Sequence, residues 1–185
     1  MGKVMKKISS GKMVYNNNEN DREGLEDRLL LLILPHVVFD GWSIKAIELG
    51  KNDFSSECKD VDSFFSGGVG ELVACFGKYI DGRMLYDLSQ IDLINRPVRE
   101  RILLSLEARI DLLGPYKEQV RRLLSFLALP QNQLLGMKIT YNAVDSIWRN
   151  AGDSSTDFNF YSKRGLLAGI YGATILYWLS DNSVN

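Results

Sequence analysis

Residues 97–116 read PVRERILLSLEARIDLLGPY. Val98, Ile102, Leu106, Ile110 and Leu113 recur at helical spacing, so they share one face of an α-helix. Arg99, Glu100, Glu107 and Asp111 fall off that stripe. Pro97 stands where a first helical turn tolerates the missing N–H, and Gly114 with Pro115 stops the helix. The next segment carries Val120, Leu123, Leu124, Phe126, Leu127 and Leu129 around much of its circumference, which predicts a helix in the interior of a bundle.

The same spacing runs outward in both directions, and alternating strand patterns are scarce. It predicts helices over 25–39, 43–50, 55–65, 69–81, 84–92, 97–113, 116–129, 131–150 and 157–179, an all-α chain. Gly41, Gly50, Pro130 and Gly152 supply the breaks. Residues 1–23 are polar, with Lys3, Lys6, Lys7 and Lys12 ahead of the run NNNEND, and are expected to be a disordered tail. They hold no apolar core of a signal peptide, no Arg-rich transit pattern and no myristoylation motif.

A chain of 185 residues can bury one sizeable core, and its 45% apolar and 24% charged residues suit a globular protein. The net charge of −1 invites neither DNA nor an anionic bilayer overall. Cys58 and Cys75 have no metal-ligand spacing and suggest a reducing compartment. The single histidine, His36, sits in an apolar helix and reads as a satisfied structural residue. Without a second histidine or a phosphate-binding glycine motif, no catalytic constellation, metal site or cofactor site emerges.

The rhythm of FDGW (39–42), IKAIELG (44–50) and FFSGGVGELV (64–73) is similar to the N-terminal helix-turn-helix domain of TetR-type regulators. The segment in the place of a recognition helix, NDFSSECKDVDSFF (52–65), carries Asp53, Glu57, Asp60 and Asp62 against Lys59. Acidic side chains are repelled by phosphates, and cation–phosphate contacts supply most DNA affinity. The element is therefore expected to be a degenerate helix-turn-helix, with no nucleic-acid partner. A ligand-responsive TetR-type regulator stands as the alternative function.

A second resemblance is more specific. SLEARIDLLGPY (105–116), LALPQN (127–132) and VDSIWRNAGDSSTDFNFYSKRGLLAGIYGATI (144–175) closely resemble the Coq-nine family of lipid-binding accessory proteins in ubiquinone biosynthesis. The likeness covers roughly Leu25 to Asp181, weakly in the first half and strongly from Glu107. That family has Trp where this chain has Phe160, and it usually continues into an amphipathic membrane helix where this sequence reads SDNSVN.

The resemblance implies a TetR-like bundle and a non-enzymatic protein. It would bind isoprenoid lipid or a quinone intermediate in a hydrophobic cavity and present it to the demethoxyubiquinone hydroxylase. The expected organisation is a tail (1–23), a helix-turn-helix-like subdomain (24–82) and a lipid-binding and dimerisation domain (83–185). Candidate lipid contacts are Leu103, Leu106, Ile110, Leu113, Leu123, Leu124, Leu127, Leu135, Ile139 and Val144. The absent presequence suggests bacterial cytoplasm, peripheral to the inner membrane and touching its surface transiently. Eukaryotic relatives would work on the matrix side of mitochondria.

In AGDSSTDFNFYSKR (151–164), Ser154, Ser155 and Thr156 are good N-caps, and Asp157 suits the positive end of the helix dipole. Capping leaves the aromatics unexplained. Asp157, Phe160, Tyr161 and Arg164 share a face, with Ile147 and Trp148 close by in sequence. Partner docking and core packing both fit that face on residue chemistry; the resemblance favours docking to the hydroxylase. Further on, Gly165, Ala168, Gly169, Gly172 and Ala173 form a stripe of small residues. Such a stripe suits a homodimer seam or close packing inside one subunit.

Overall fold

The computed structural model describes residues 19–54, 60–153 and 158–181. Within them the chain is all-α. Seven helices follow one another: α1 (Glu19–Asp40), α2 (Ile44–Phe54), α3 (Val69–Ser89), α4 (Val98–Leu113), α5 (Lys117–Leu127), α6 (Gln133–Asn150) and α7 (Phe158–Ser180). Short 3-10 turns stand at Val61–Ser63, Gly114–Tyr116 and Pro130–Asn132. The architecture is compatible with a TetR-like bundle.

Four boundaries differ from the sequence reading. Residues 19–23, expected in the disordered tail, belong to α1. Gly50 does not end its helix; α2 continues to Phe54. A Cβ on Gly50 would lie 2.3 Å from Ile33 Cγ1, so this glycine lets α1 and α2 pack backbone against side chain. The helix expected over 55–65 is represented among the described residues only by the 3-10 turn at Val61–Ser63; residues 55–59 lie outside them. Phe65 then takes a positive φ of 54°, which halts helix propagation while Phe64 and Phe65 stay buried.

The fourth difference is the break expected near Gly82. An interior glycine costs about 1 kcal/mol of helix propensity. Beyond it, however, Met84 and Leu88 are fully buried, and each such burial is worth roughly 1.5–3 kcal/mol. The helix therefore continues, and α3 runs unbroken across the boundary expected at residues 82 and 83.

Two apolar clusters fill the bundle. The first joins α1, α2 and the front of α3 to Leu113, Val120, Leu123, Ile175 and Leu179. The second gathers Met84, Leu88, Leu106, Val144, Ile147 and Leu167. A buried polar relay ties α5 to the front of the molecule. Trp42 Nε1 donates to the Gln119 carbonyl at 2.9 Å, and Gln119 Nε2 donates to the Leu34 carbonyl at 3.1 Å. His36 pairs with Asp53 across α1 and α2 at 2.7 Å.

The turn after α6 is equally constrained. Gly152 has φ 86°, and the Arg101 guanidinium lies 3.1 Å from where its Cβ would be. Arg101 donates there to the Ala151 carbonyl at 3.1 Å and to the Ile94 carbonyl at 3.0 Å, fastening the α3–α4 connection to the end of α6.

Candidate functional site

Helices α3 to α7 line a largely apolar cavity of about 220 Å³ that opens toward the surface. Leu113, Leu123, Leu124 and Leu127 line one side, with Ile139 on α6. These are five of the ten residues put forward from the sequence. The other five stand elsewhere. Ile110 and Leu135 pack against the first cluster, and Leu106 and Val144 belong to the second. Leu103 points outward, 54% exposed. The apolar stripe of α4 is continuous in sequence, but only Leu113, in its last turn, reaches the cavity.

Two walls were missed. α3 contributes Val73, Phe76, Gly77 and Ile80; α7 contributes Tyr171, Gly172, Ile175 and Leu176. The available signal was a glycine within each apolar stretch, since Gly77 and Gly172 leave unfilled space that larger side chains would occupy. Leu176 is 62% exposed, so the cavity wall reaches the surface on the α7 side.

The lining is not wholly apolar. Arg109, Thr140 and Tyr171 also face the cavity. Arg109 is 3% exposed. Its Nε donates to the Tyr171 hydroxyl at 2.9 Å, its Nη1 bonds the Asp81 carboxylate, and its guanidinium stands 5.4 Å from the Tyr171 ring centroid. Burial raises the pKa of Asp81, an effect that the Arg109 charge opposes. Asp81 also borders a polar groove with Glu26, Glu71, Lys78 and Lys138, on the far side of Gly77 and Ile139.

A second apolar groove lies between α6 and α7. Met137, Tyr141 and Val144 line it from α6, with Tyr161, Arg164, Gly165 and Ala168 from α7. Thr140 borders both this groove and the cavity. The groove thus unites members of the docking and seam sets with two exposed residues the sequence reading did not select, Met137 (62%) and Tyr141 (44%).

The docking candidates separate by burial. Tyr161 is 70% exposed. Phe160 is half-buried, edge-on to Tyr161 at 5.1 Å, with the Arg164 guanidinium 3.4 Å from its centroid. Trp148 is half-buried and donates from Nε1 to the Lys163 carbonyl at 3.2 Å. Ile147 is fully buried in the second cluster, so it supports the surface from beneath. Asp157 and the capping residues Ser154 to Thr156 lie outside the described residues.

Arg164 is 3% exposed and cannot present its charge to a partner. It donates to Asp145 from Nε at 2.7 Å, and from Nη1 to Asp153 at 3.1 Å and the Phe160 carbonyl at 3.2 Å. The mixture of charge and aromatic area on this face thus has an internal cause: a clamp joining α6, the turn after it and α7.

The small residues of α7 are open. A Cβ on Gly165, Gly169 or Gly172 would meet nothing within 4 Å, Ala173 is exposed and Ala168 half-buried. Leu166 (70%) and Ile170 (47%) stand exposed on the same helix. Close packing within the subunit is therefore not the cause of the glycines. No helix among the described residues is long and apolar enough to cross a membrane.

Comparison with known proteins agrees with the resemblance read from the motifs. The COQ9 family model matches residues 134–185. The chain is 34% identical over 170 residues to the mitochondrial ubiquinone biosynthesis protein COQ9 of Rattus norvegicus, covering 87% of this chain and 54% of that one. Against the Homo sapiens protein of the same name identity is 32% over 170 residues, with 87% and 52% covered. Against that of Drosophila melanogaster it is 30% over 173 residues, with 87% and 50% covered. The chain spans about half the length of these curated relatives.

Proposed function

Because this chain belongs to the COQ9 family, we propose that it serves ubiquinone biosynthesis as a non-catalytic accessory protein. It holds an isoprenoid lipid or quinone intermediate in the cavity between α3 and α7 and presents it to the demethoxyubiquinone hydroxylase. The observation that carries this reading is the apolar cavity of about 220 Å³. Dry cavities lined by aliphatic and aromatic side chains bind apolar molecules, and about 150 Å³ is enough to accept benzene. A space half as large again suits a substituted ring or a short run of isoprene units, with the remaining tail outside.

Presentation requires the cargo to lie close to the partner. Thr140 borders both the cavity and the α6–α7 groove, so the two are separated by a single side chain at that point. Tyr161, Met137 and Tyr141 around the groove, with Phe160 edge-on to Tyr161, offer the aromatic and thioether area of an interface anchor. The hydroxylase docks here, with Arg164 and Ile147 holding the surface rigid from inside. A second copy of the chain pairs through the part of the α7 small-residue stripe outside that groove and the cavity, Gly169 and Ala173, which share an exposed face with Leu166 and Ile170.

The test is direct. Organic extracts of the purified protein are analysed by mass spectrometry, and the protein is titrated with short-chain ubiquinone. Co-purified isoprenoid lipid or saturable quinone binding is the expected result; a lipid-free protein without quinone affinity overturns the reading. The alternative, a TetR-type regulator, predicts salt-dependent binding to duplex DNA. Asp60 and Asp62 are exposed at the end of the helix-turn-helix-like segment, which disfavours a polyanion there.

A further inference from the structure

We propose that Tyr171 and Arg109 form a headgroup subsite inside the cavity, which takes a neutral ring carrying carbonyl or hydroxyl oxygens and so orients the lipid head inward. This rests on the lipid-holding reading above and specifies which end of the lipid is recognised, and how.

The polar groups are few and concentrated. In an otherwise aliphatic and aromatic lining, Arg109, Tyr171 and Thr140 are the polar side chains. A cavity meant only for hydrocarbon has no use for a buried guanidinium, which is costly to desolvate even when paired. The pairing leaves donors unspent. Arg109 engages Nε with Tyr171 and Nη1 with Asp81; among the bonds of the described residues, none uses Nη2. The Tyr171 hydroxyl accepts from Arg109, so its own proton is available to a further acceptor. Two donors of this kind suit the oxygens of a quinone or phenol ring.

Charge decides between ligand classes. Asp81 neutralises Arg109, so the subsite has no net charge to offer. A phosphate-headed lipid would bring an uncompensated anion into a largely apolar space, whereas a neutral carbonyl brings none. The position fits the proposed presentation as well. Thr140, in the same cavity lining as these donors, also borders the α6–α7 groove, so a ring held in this cavity lies on the side of the docking surface.

The full-length chain is titrated with three probes: ubiquinone with two isoprene units, the headless hydrocarbon of the same tail, and the isoprenyl diphosphate of that tail. The quinone is expected to bind at least tenfold tighter than either of the others. Tyr171→Phe should reduce that preference of quinone over hydrocarbon about fivefold or more. Should Tyr171→Phe misfold, the infrared carbonyl band of quinone bound to the unaltered protein decides: a shift to lower frequency supports the subsite. An unshifted carbonyl, equal binding of quinone and hydrocarbon, or tighter diphosphate binding overturns the subsite and leaves the lipid-holding reading standing. If no probe binds, both fall.

Discussion

Arg164 of α7 donates from Nε to the Asp145 carboxylate of α6 at 2.7 Å, and both residues are buried. The same guanidinium reaches Asp153, whose side chain is 5% exposed, and covers the Phe160 ring. One cation therefore holds three segments in place under the exposed Tyr161. The arrangement places rigidity and recognition in adjacent residues with different tasks, and their variants should separate accordingly.

Breaking the clamp should cost stability. Asp145→Ala leaves Arg164 buried with part of its charge uncompensated, and loss of one member of a buried pair costs about 3–5 kcal/mol. Asp153 and the Phe160 carbonyl remain as partners, so the lower end of that range is expected. Urea denaturation followed by circular dichroism measures it; a change below ~1 kcal/mol would show that the clamp is dispensable.

Tyr161→Ala should behave in the opposite way. With its ring 70% exposed, its removal should alter stability by no more than about 0.5 kcal/mol. Hydroxylase binding, measured by calorimetry, should weaken by roughly 2 kcal/mol if this ring anchors the interface. Ile147→Ala should instead destabilise the fold by about 2–5 kcal/mol, because its side chain is fully buried. Equal destabilisation by both variants would exclude the division of labour.

Filling the cavity should exclude lipid without dismantling the bundle. Leu124 is half-buried and lines the space, so Leu124→Trp adds volume where the wall has some freedom to adjust. The strain is expected to cost ~1–3 kcal/mol, while co-purified lipid falls severalfold on mass spectrometry. Unchanged lipid content would place the cargo elsewhere.

The small-residue stripe of α7 predicts a change of oligomeric state. Ile170→Glu puts a charge on an exposed apolar site and should leave the subunit folded while converting a dimer to monomer in sedimentation analysis. A chain already monomeric at micromolar concentration would remove the seam.

Acid should stabilise the fold over a defined range. Burial raises the pKa of Glu26, Asp27 and Asp81 above the ordinary carboxylate values, so the folded chain binds more protons than the unfolded chain between those values and the raised ones. Stability then rises as pH falls through that window. The urea midpoint is expected to increase as pH falls toward the ordinary carboxylate range, and Glu26→Gln with Asp27→Asn should flatten the slope. A midpoint that falls steadily over that range contradicts this account.

Helical periodicity alone established that the chain is all-α, because spacings of three and four report a face whatever it packs against; α5, expected in the bundle interior, instead packs by one face and leaves Arg121 and Ser125 exposed. The motifs from Glu107 onward carried the family likeness in the same way, as linear patterns. Tertiary structure decided which stretch of each stripe meets a cavity. Leu106 and Leu113 belong to one stripe of α4, yet one packs into the second apolar cluster and the other lines the cavity, since that depends on where the neighbouring helices cross α4. It also decided the meaning of Arg164. A guanidinium beside two aromatics resembles an interface until Asp145 and Asp153 arrive from distant positions, and only folding brings those charges within hydrogen-bonding distance.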